Sequence, residues 1–336
     1  MSDTKNPVID PRMVVSSRIR LARNLKKYPF PSRLDGEKAR EMKEELHHLL
    51  KEYPHETFDF LDMKNINSVQ AGAMMEEHLI SPEFSRNGEK SALLLGRNKS
   101  LSVMINEEDH LRIQAMGSGS CLEELYEKIS ALDDYIDGKV EYAFSEKYGY
   151  LTSCPTNLGT GIRASVMLHL PALTRRGLMD RVIHSVSQVG ITVRGLYGEG
   201  TQAGASLYQI SNSYSLGINE EETVALLNRI VAQICASEQK AREHQFPDLR
   251  TQDELFRAYG ILKECRMLTS AEFRALYSKV RLAAEEGLLN LNKTDLDRLF
   301  IECQPYNLML TGETESDSER DQRRAALVRE RIGKQE

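Results

Sequence analysis

The stretch Ile162-Arg163-Ala164-Ser165-Val166-Met167-Leu168-His169-Leu170 alternates between two sets of side chains. Successive residues of an extended chain point to opposite faces, so Ala164, Val166, Leu168 and Leu170 share one face and Arg163, Ser165, Met167 and His169 the other. The pattern predicts a strand covered on one side. Further strands surround it in sequence. Ala92-Leu93-Leu94-Leu95 and Leu101-Ser102-Val103-Met104-Ile105 flank a Gly96-Arg97-Asn98 turn, a hairpin signal, and Leu111-Arg112-Ile113-Gln114-Ala115 follows closely. Ile191-Thr192-Val193-Arg194 and residues 206–210 read the same way. Consecutive strands mixed with separate helices indicate an α+β fold with a largely antiparallel sheet flanked by helices, not a doubly wound parallel one.

Helical spacing occupies residues 35–52, where Ala39, Met42, Leu46, Leu49 and Leu50 recur among charges. Pro171 opens a helix expected to run to about Val189, ended by Gly190. Asn219-Glu220-Glu221-Glu222 is a capping box that starts a helix reaching about Ala241. Beyond His244-Gln245-Phe246-Pro247 the strand patterns stop. Residues 253–302 read as short helices with Ser270, Asn292 and Thr294 as caps, so the chain divides into an α+β unit, 1–246, and an all-α unit, 247–336. Residues 313–336 mix acidic and basic side chains and suit a solvated terminal helix or a tail.

A chain of 336 residues has room for two cores. A net charge of −6 argues against coating nucleic acid or an anionic membrane. No apolar run approaches the ~20 residues of a membrane span, and the opening residues lack a signal-peptide core. A cytoplasmic protein is expected, with neither nucleic acid nor membrane as partner. Cys121, Cys154, Cys235, Cys265 and Cys303 form no Cys-x-x-Cys pair, so neither a disulfide framework nor a protein-held metal is suggested. Of the 44 basic residues 27 are Arg, the side chain suited to gripping phosphate and carboxylate bidentately. Gly-x4-Gly-Lys-Ser/Thr is absent, Gly198-Glu199-Gly200 lacks the third glycine of a dinucleotide fingerprint, and no protein-kinase motif occurs. Any phosphate must therefore be held by side chains.

Four stretches could do so. In Ser16-Ser17-Arg18-Ile19-Arg20-Leu21-Ala22-Arg23, alternation puts Arg18 and Arg20 on one face, about 7 Å apart, as a phosphate grip or as an ordinary polar strand face. Asn106-Glu107-Glu108-Asp109-His110-Leu111-Arg112 crowds three carboxylates, which favours protonation; if extended, it aligns Glu108, His110 and Arg112, and otherwise it is an acidic turn. Cys154-Pro155-Thr156-Asn157-Leu158-Gly159-Thr160-Gly161-Ile162-Arg163 is a rigid loop whose thiol would be acidified by nearby Arg, or is a small buried hydrophobe. Val193-Arg194-Gly195-Leu196-Tyr197-Gly198-Glu199-Gly200 joins an Arg to a Glu through a glycine-rich turn.

Taken together and in this order, these motifs resemble the catalytic domain of the guanidino (phosphagen) kinases, over about residues 12–245. The similarity is closest to the bacterial protein-arginine kinase branch, which lacks the helical N-terminal domain of arginine and creatine kinases and carries a helical C-terminal domain. The resemblance implies phosphoryl transfer from ATP, with Mg²⁺ carried on its phosphates, to arginine side chains of proteins. It implies an ATP site of Ser16, Ser17, Arg18, Ile19, Arg20, His78, Arg112, Arg163, Ala164, Ser165, Val166, Met167, Arg194, Gly195, Leu196, Tyr197, Gly198 and Glu199. Glu108 would be the catalytic base, Glu199 the second guanidinium-binding carboxylate, Glu107 a supporting residue and Cys154 the signature thiol. Met167 departs from the family, many of whose members have His there. Arg320-Asp321-Gln322-Arg323-Arg324-Ala325 matches an Arg-Asp-x-x-Arg-Ala motif that binds phosphoarginine allosterically, through Arg320, Asp321, Arg324 and Ala325. Implied partners are a zinc-binding activator protein, a heat-shock repressor, a Clp unfoldase and protease, and a second copy of the chain in a homodimer or larger assembly. The rivals to protein marking for proteolysis are a free-arginine kinase and a catalytically dead phosphoarginine-reading adaptor.

Overall fold

The computed structural model describes residues 8–86, 88–196, 204–244, 248–312 and 316–333. Its centre is an antiparallel sheet built from β1 (Val14–Arg23), β2 (Phe58–Asp62), β3 (Ala92–Gly96), β4 (Leu101–Ile105), β5 (Leu111–Ser118), β8 (Ile162–His169), β9 (Ile191–Gly195) and β10 (Leu207–Asn212). The order is β2-β3-β4-β5-β1-β8-β10-β9. A small hairpin, β6 (Phe144–Ser145) and β7 (Gly149–Tyr150), stands apart.

One face of this sheet is the main core. Ile19, Leu21, Ile113, Ala115, Ala164, Val166 and Ile210 point into it. Against them lie α1 (Gly36–Lys51), α3 (Leu122–Asp137) and α6 (Glu220–Glu243), through residues such as Leu46, Ile129 and Leu227. Burying each such side chain contributes about 1.5–3 kcal/mol. Asp35 caps α1, and the expected capping box at Asn219 and Glu222 forms at α6.

The other face is partly covered by α7 (Leu249–Glu264), α8 (Ser270–Glu285), α9 (Lys293–Glu302), α10 (Pro305–Thr311) and α11 (Asp317–Gly333). Phe273, Tyr277, Val280, Phe300 and Val328 form a second core with Leu207, against which Val15 and Met167 of the sheet pack. β8 is therefore covered on both faces at its far end, contrary to the sequence expectation, since α8 lies over His169. His169 Nδ1 lies 2.9 Å from Glu285, and Ser278 Oγ 2.8 Å from Nε2. Arg242 bridges Glu238 (2.8 Å) and Glu285 (2.7 Å), and Arg281 pairs with Asp297 (2.7 Å), so a buried ionic layer joins the helices to the sheet.

Three local expectations are corrected. The helix expected from Pro171 to Val189 is two, α4 (Pro171–Arg175) and α5 (Met179–Ser187), broken where Gly177 adopts φ +63°. Of the expected caps, Asn292 does cap α9, whereas α8 is capped by Thr269 and not Ser270, and Thr294 lies inside α9. The terminal segment is a helix, but not a solvated one, because Arg324, Ala325, Val328 and Ile332 are buried. No helix among the described residues is long and apolar enough to cross a membrane.

Candidate active site

Strand register assembles the site on the face opposite the main core. Arg18 stands opposite Met116 and Ser165, and Arg20 opposite Gln114 and Arg163. Arg112 faces Ala22 on β1, and Arg194 faces Gln209, itself opposite Met167. Because directly opposed residues share a face, Arg18, Arg20, Arg112, Arg163 and Arg194 project to one side. Their only ion pair among the described residues joins Arg112 to Glu107, at 2.5 Å. Arg18 reaches the amide oxygen of Gln209 at 3.3 Å and Arg163 the Ser211 hydroxyl at 3.5 Å, while Nε of Arg20 has no partner. Burial, then Arg112 and Arg163, pushes Arg18 down to about 10, and burial with Arg18, Arg112 and Arg163 takes Arg20 well below its ordinary value. Burial with Arg194 and Arg112 lowers Arg163 as well. A cluster so depressed is short of anions.

Carboxylates border it. Residues 106–110 form a tight turn, with Asn106 at φ +60° and its N–H donated to the His110 carbonyl. The extended alignment of Glu108, His110 and Arg112 therefore does not occur. His110 is buried, its Nδ1 accepting from Leu25 N–H (3.0 Å) and its Nε2 contacting the Pro29 carbonyl (2.9 Å). Asp109 accepts from Asn24 and from the Ser153 N–H, both at 2.6 Å, and so ties this turn to the Cys154 loop. Burial pushes Glu107 up, but Arg112, Ser81 Oγ (2.6 Å) and the Glu108 N–H (2.9 Å) outweigh it and leave it lowered. Glu108 is exposed and raised, by desolvation first and then by Asp109 and Glu107. One carboxylate is thus locked in its charged form beside another poised to take a proton.

Cys154 precedes a short 3₁₀ turn, its Sγ 3.1 Å from Thr156 Oγ1. Sequence reasoning overlooked what seats this loop. Arg23, on the core face of β1, pairs with Asp133 (2.7 Å), lies 3.6 Å from the Tyr150 ring centre and donates to the Thr160 carbonyl (2.7 Å). Its place within the Arg-rich stretch but out of phase with Arg18 and Arg20 was the available signal. Gln209, Ser211 and Ser81 carried none.

On the other side of Arg18, a pocket is lined by Ser16, His78, Met116, Ser165 and Met167. His78 follows α2 (Ser68–Glu76) at φ +60°, and burial, then Arg18, lowers it to about 4, so it is neutral. Ser17, Ile19, Ala164 and Val166 turn their side chains into the core, because alternation assigns them to the other face. Only their backbones border the cleft. Gly195 ends β9, and Leu196 packs on the helical core. Tyr197, Gly198 and Glu199 lie outside the described residues.

Residues 39–241 match the family profile "ATP:guanido phosphotransferase, C-terminal catalytic domain", and residues 248–336 match "Protein-arginine kinase McsB C-terminal domain". The chain is 44% identical to the protein-arginine kinase of Geobacillus stearothermophilus, over 95% of this chain and 90% of that one. The chain belongs to the protein-arginine kinases, within the ATP:guanido phosphotransferase family. Its counterpart in Caldanaerobacter subterraneus subsp. tengcongensis is 42% identical over 97% of this chain and 99% of that one. Among solved structures, the duplicated taurocyamine kinase from Schistosoma mansoni with bound transition-state analog components superposes at a TM-score of 0.63. That match has 26% identity and covers 71% of this chain and 35% of the other.

For a protein-arginine kinase the C-terminal motif holds a surprise. Arg324 is buried and donates to the carbonyls of Cys303 (2.8 Å) and Leu268 (2.7 Å) and to Asp321 (2.7 Å). Arg320 pairs with Asp317, and Ala325 is buried. Arg320 and Arg324 do not converge on one phosphate in this arrangement, because Nε and Nη1 of Arg324 are spent on Cys303, Leu268 and Asp321 while Arg320 is paired with Asp317.

Proposed function

We propose that the chain transfers the γ-phosphoryl group of ATP to the guanidinium of arginine side chains in proteins. The observation that carries this is the set of five arginines with one carboxylate among them, set beside the exposed, raised Glu108. Phosphoryl transfer spreads charge over equatorial oxygens, and preorganised cations stabilise it. A protonated guanidinium has no lone pair for attack, so a carboxylate must remove a proton as nitrogen approaches phosphorus. Glu108 takes it: the N–P bond forms, the P–O bond to ADP breaks, and the proton resides on Glu108. Glu107, spent on Arg112, holds that arginine in place. Glu199 is proposed as the second carboxylate on the acceptor and Cys154 as its neighbour. Mg²⁺, carried on the phosphates, would neutralise part of their charge.

The same proposal extends to the biology implied by the family resemblance. It comprises a cytoplasmic, dimeric or larger enzyme whose phosphoarginine marks direct proteins to a Clp protease and relieve heat-shock repression, aided by a zinc-binding activator. Residues 1–246 would be catalytic, and 247–336 would dimerise and sense phosphoarginine, which requires Arg324 to leave its carbonyl partners.

The test is to incubate the protein with ATP and an unfolded arginine-containing substrate and analyse the product at neutral and acid pH. A phosphoramidate that disappears in acid is expected; an acid-stable ester, or label on free arginine alone, would overturn the proposal. Glu108→Gln should lower kcat by about 10²-fold or more, the usual contribution of a general base, with ATP affinity retained.

A further inference from the structure

The pocket beside Arg18 opens into a groove of ≈610 Å³ between the sheet and the C-terminal helices. Ser16, His78, Met116 and Met167 line both. The far side of the groove belongs to the helical region, where Phe300 and Ile301 of α9 and Asn307 of α10 face it. Along β1, Arg20 to Ser16 is four residues, or ~13 Å of strand. A polyphosphate on the arginines therefore carries its nucleoside toward Ser16 and into this groove. Its thioether and aromatic lining suits a flat, weakly polar ring.

The outer side is tied in place by one carboxylate. Glu76, the last residue of α2, accepts from the Tyr306 N–H (3.0 Å), the Asn307 N–H (2.9 Å) and Asn307 Nδ2 (2.9 Å). It caps the amino end of α10 at the edge of the groove, next to Glu77, His78 and Asn307, which line it. The two helices touch closely, since a Cβ on Gly72 would fall 2.3 Å from the Tyr306 ring. Two residues after Glu76 the chain turns through His78, whose carbonyl accepts from Gln114 Nε2 (3.0 Å) on the arginine face. The end of α2 and the turn that follows it thus join the arginine face to α10.

Resting on the nucleotide reading above, we propose that α9 and α10 form the outer wall of the nucleoside end of the ATP site. Glu76 is the positioning residue that sets the width of that slot by capping α10. The C-terminal helices would then contribute directly to nucleotide recognition, and the phosphate end would owe them nothing.

Inorganic tripolyphosphate separates the two ends, because it uses the arginines and has no nucleoside. In the full-length protein, Glu76→Ala and Asn307→Asp should each weaken ATP about tenfold with tripolyphosphate affinity and kcat at saturating ATP held within about twofold. Asn307→Asp keeps the fold, as an acid is favoured in the first turn of a helix. The conservative Glu76→Gln, whose single amide oxygen still accepts from a backbone N–H of α10 but cannot serve all three donors, should give an ATP affinity between those of the parent and Glu76→Ala. Unchanged ATP affinity in both single variants, or equal weakening of ATP and tripolyphosphate, would overturn the assignment. Failure of the unsubstituted protein to bind either ligand would overturn the nucleotide reading itself, and this inference with it.

Discussion

Arg20 sits across the β1–β8 pair from Arg163, with Arg18 two residues away and no partner for its Nε. A half-buried guanidinium held among other cations, with no ion pair of its own and a buried Nε left unpartnered, is costly to the fold and is kept where function needs it. Arg20→Met, of similar length, should therefore raise stability by about 1 kcal/mol, or a few degrees in Tm, while weakening ATP by at least about tenfold. Thermal melts with and without nucleotide check both halves; a variant that is less stable than the parent would contradict the account. At this scale the sequence was legible wherever strand alternation held, as for Arg18, Arg20 and Arg163. At Glu108, His110 and Arg112 it left two readings, and the acidic turn is the one that forms, because one left-handed residue, Asn106, turns the chain and buries His110. The Arg320–Arg324 motif marks a related limit, since its sequence does not say that Arg324 is buried.

Among the elements, the Cys154 loop depends on two backbone approaches that admit no side chain. Gly159 adopts φ +109°, and a Cβ there would lie 2.5 Å from the Ser215 carbonyl oxygen; Gly149, at φ +72°, packs its Cα against Gly159. Gly159→Ala should lose about 2 kcal/mol or more of stability from strain and contact together. The same displacement reaches Asn157 and Cys154 on one side and Arg163 on the other, so kcat should fall as well. Urea titration and initial rates measure the two effects. Elements set by local chemistry, such as the 92–105 hairpin and the Asn219 capping box, were readable in advance. The break at Gly177 and the shift of a cap from Ser270 to Thr269 were not, because neighbouring residues there are equally able to end or begin a helix.

For the molecule as a whole, the ionic layer between sheet and helices makes stability depend on pH. His169 touches Glu285, yet Glu285 is already claimed by Arg242 and Arg281. Burial, then the charges of Arg281 and Arg242, outweighs the attraction of Glu238 and Asp297 and depresses His169 well below its ordinary value. The ring is thus neutral, donating from Nδ1 to Glu285 and accepting at Nε2 from Ser278. The unfolded chain binds a proton near pH 6.5 that the fold refuses, so stability is full above that value and falls below it, by at most about 1.4 kcal/mol per pH unit for this group. Urea midpoints at pH 7.5 and 5.5 should differ, and His169→Gln should narrow the difference. Nothing in the sequence pointed to this layer, whose members come from β8, α6, α8 and α9 and meet only in three dimensions.

The unmet charge of the arginine cleft also governs how the protein behaves when nothing is bound. Strands hold the five side chains close whether or not an anion is present, so the empty fold bears their repulsion continuously. A polyanion that binds only the folded chain stabilises it by mass action, about 2.7 kcal/mol at a hundredfold excess over Kd. The surviving fraction of this protein under heat should then follow the concentration of free nucleotide around it, making the substrate its own chaperone.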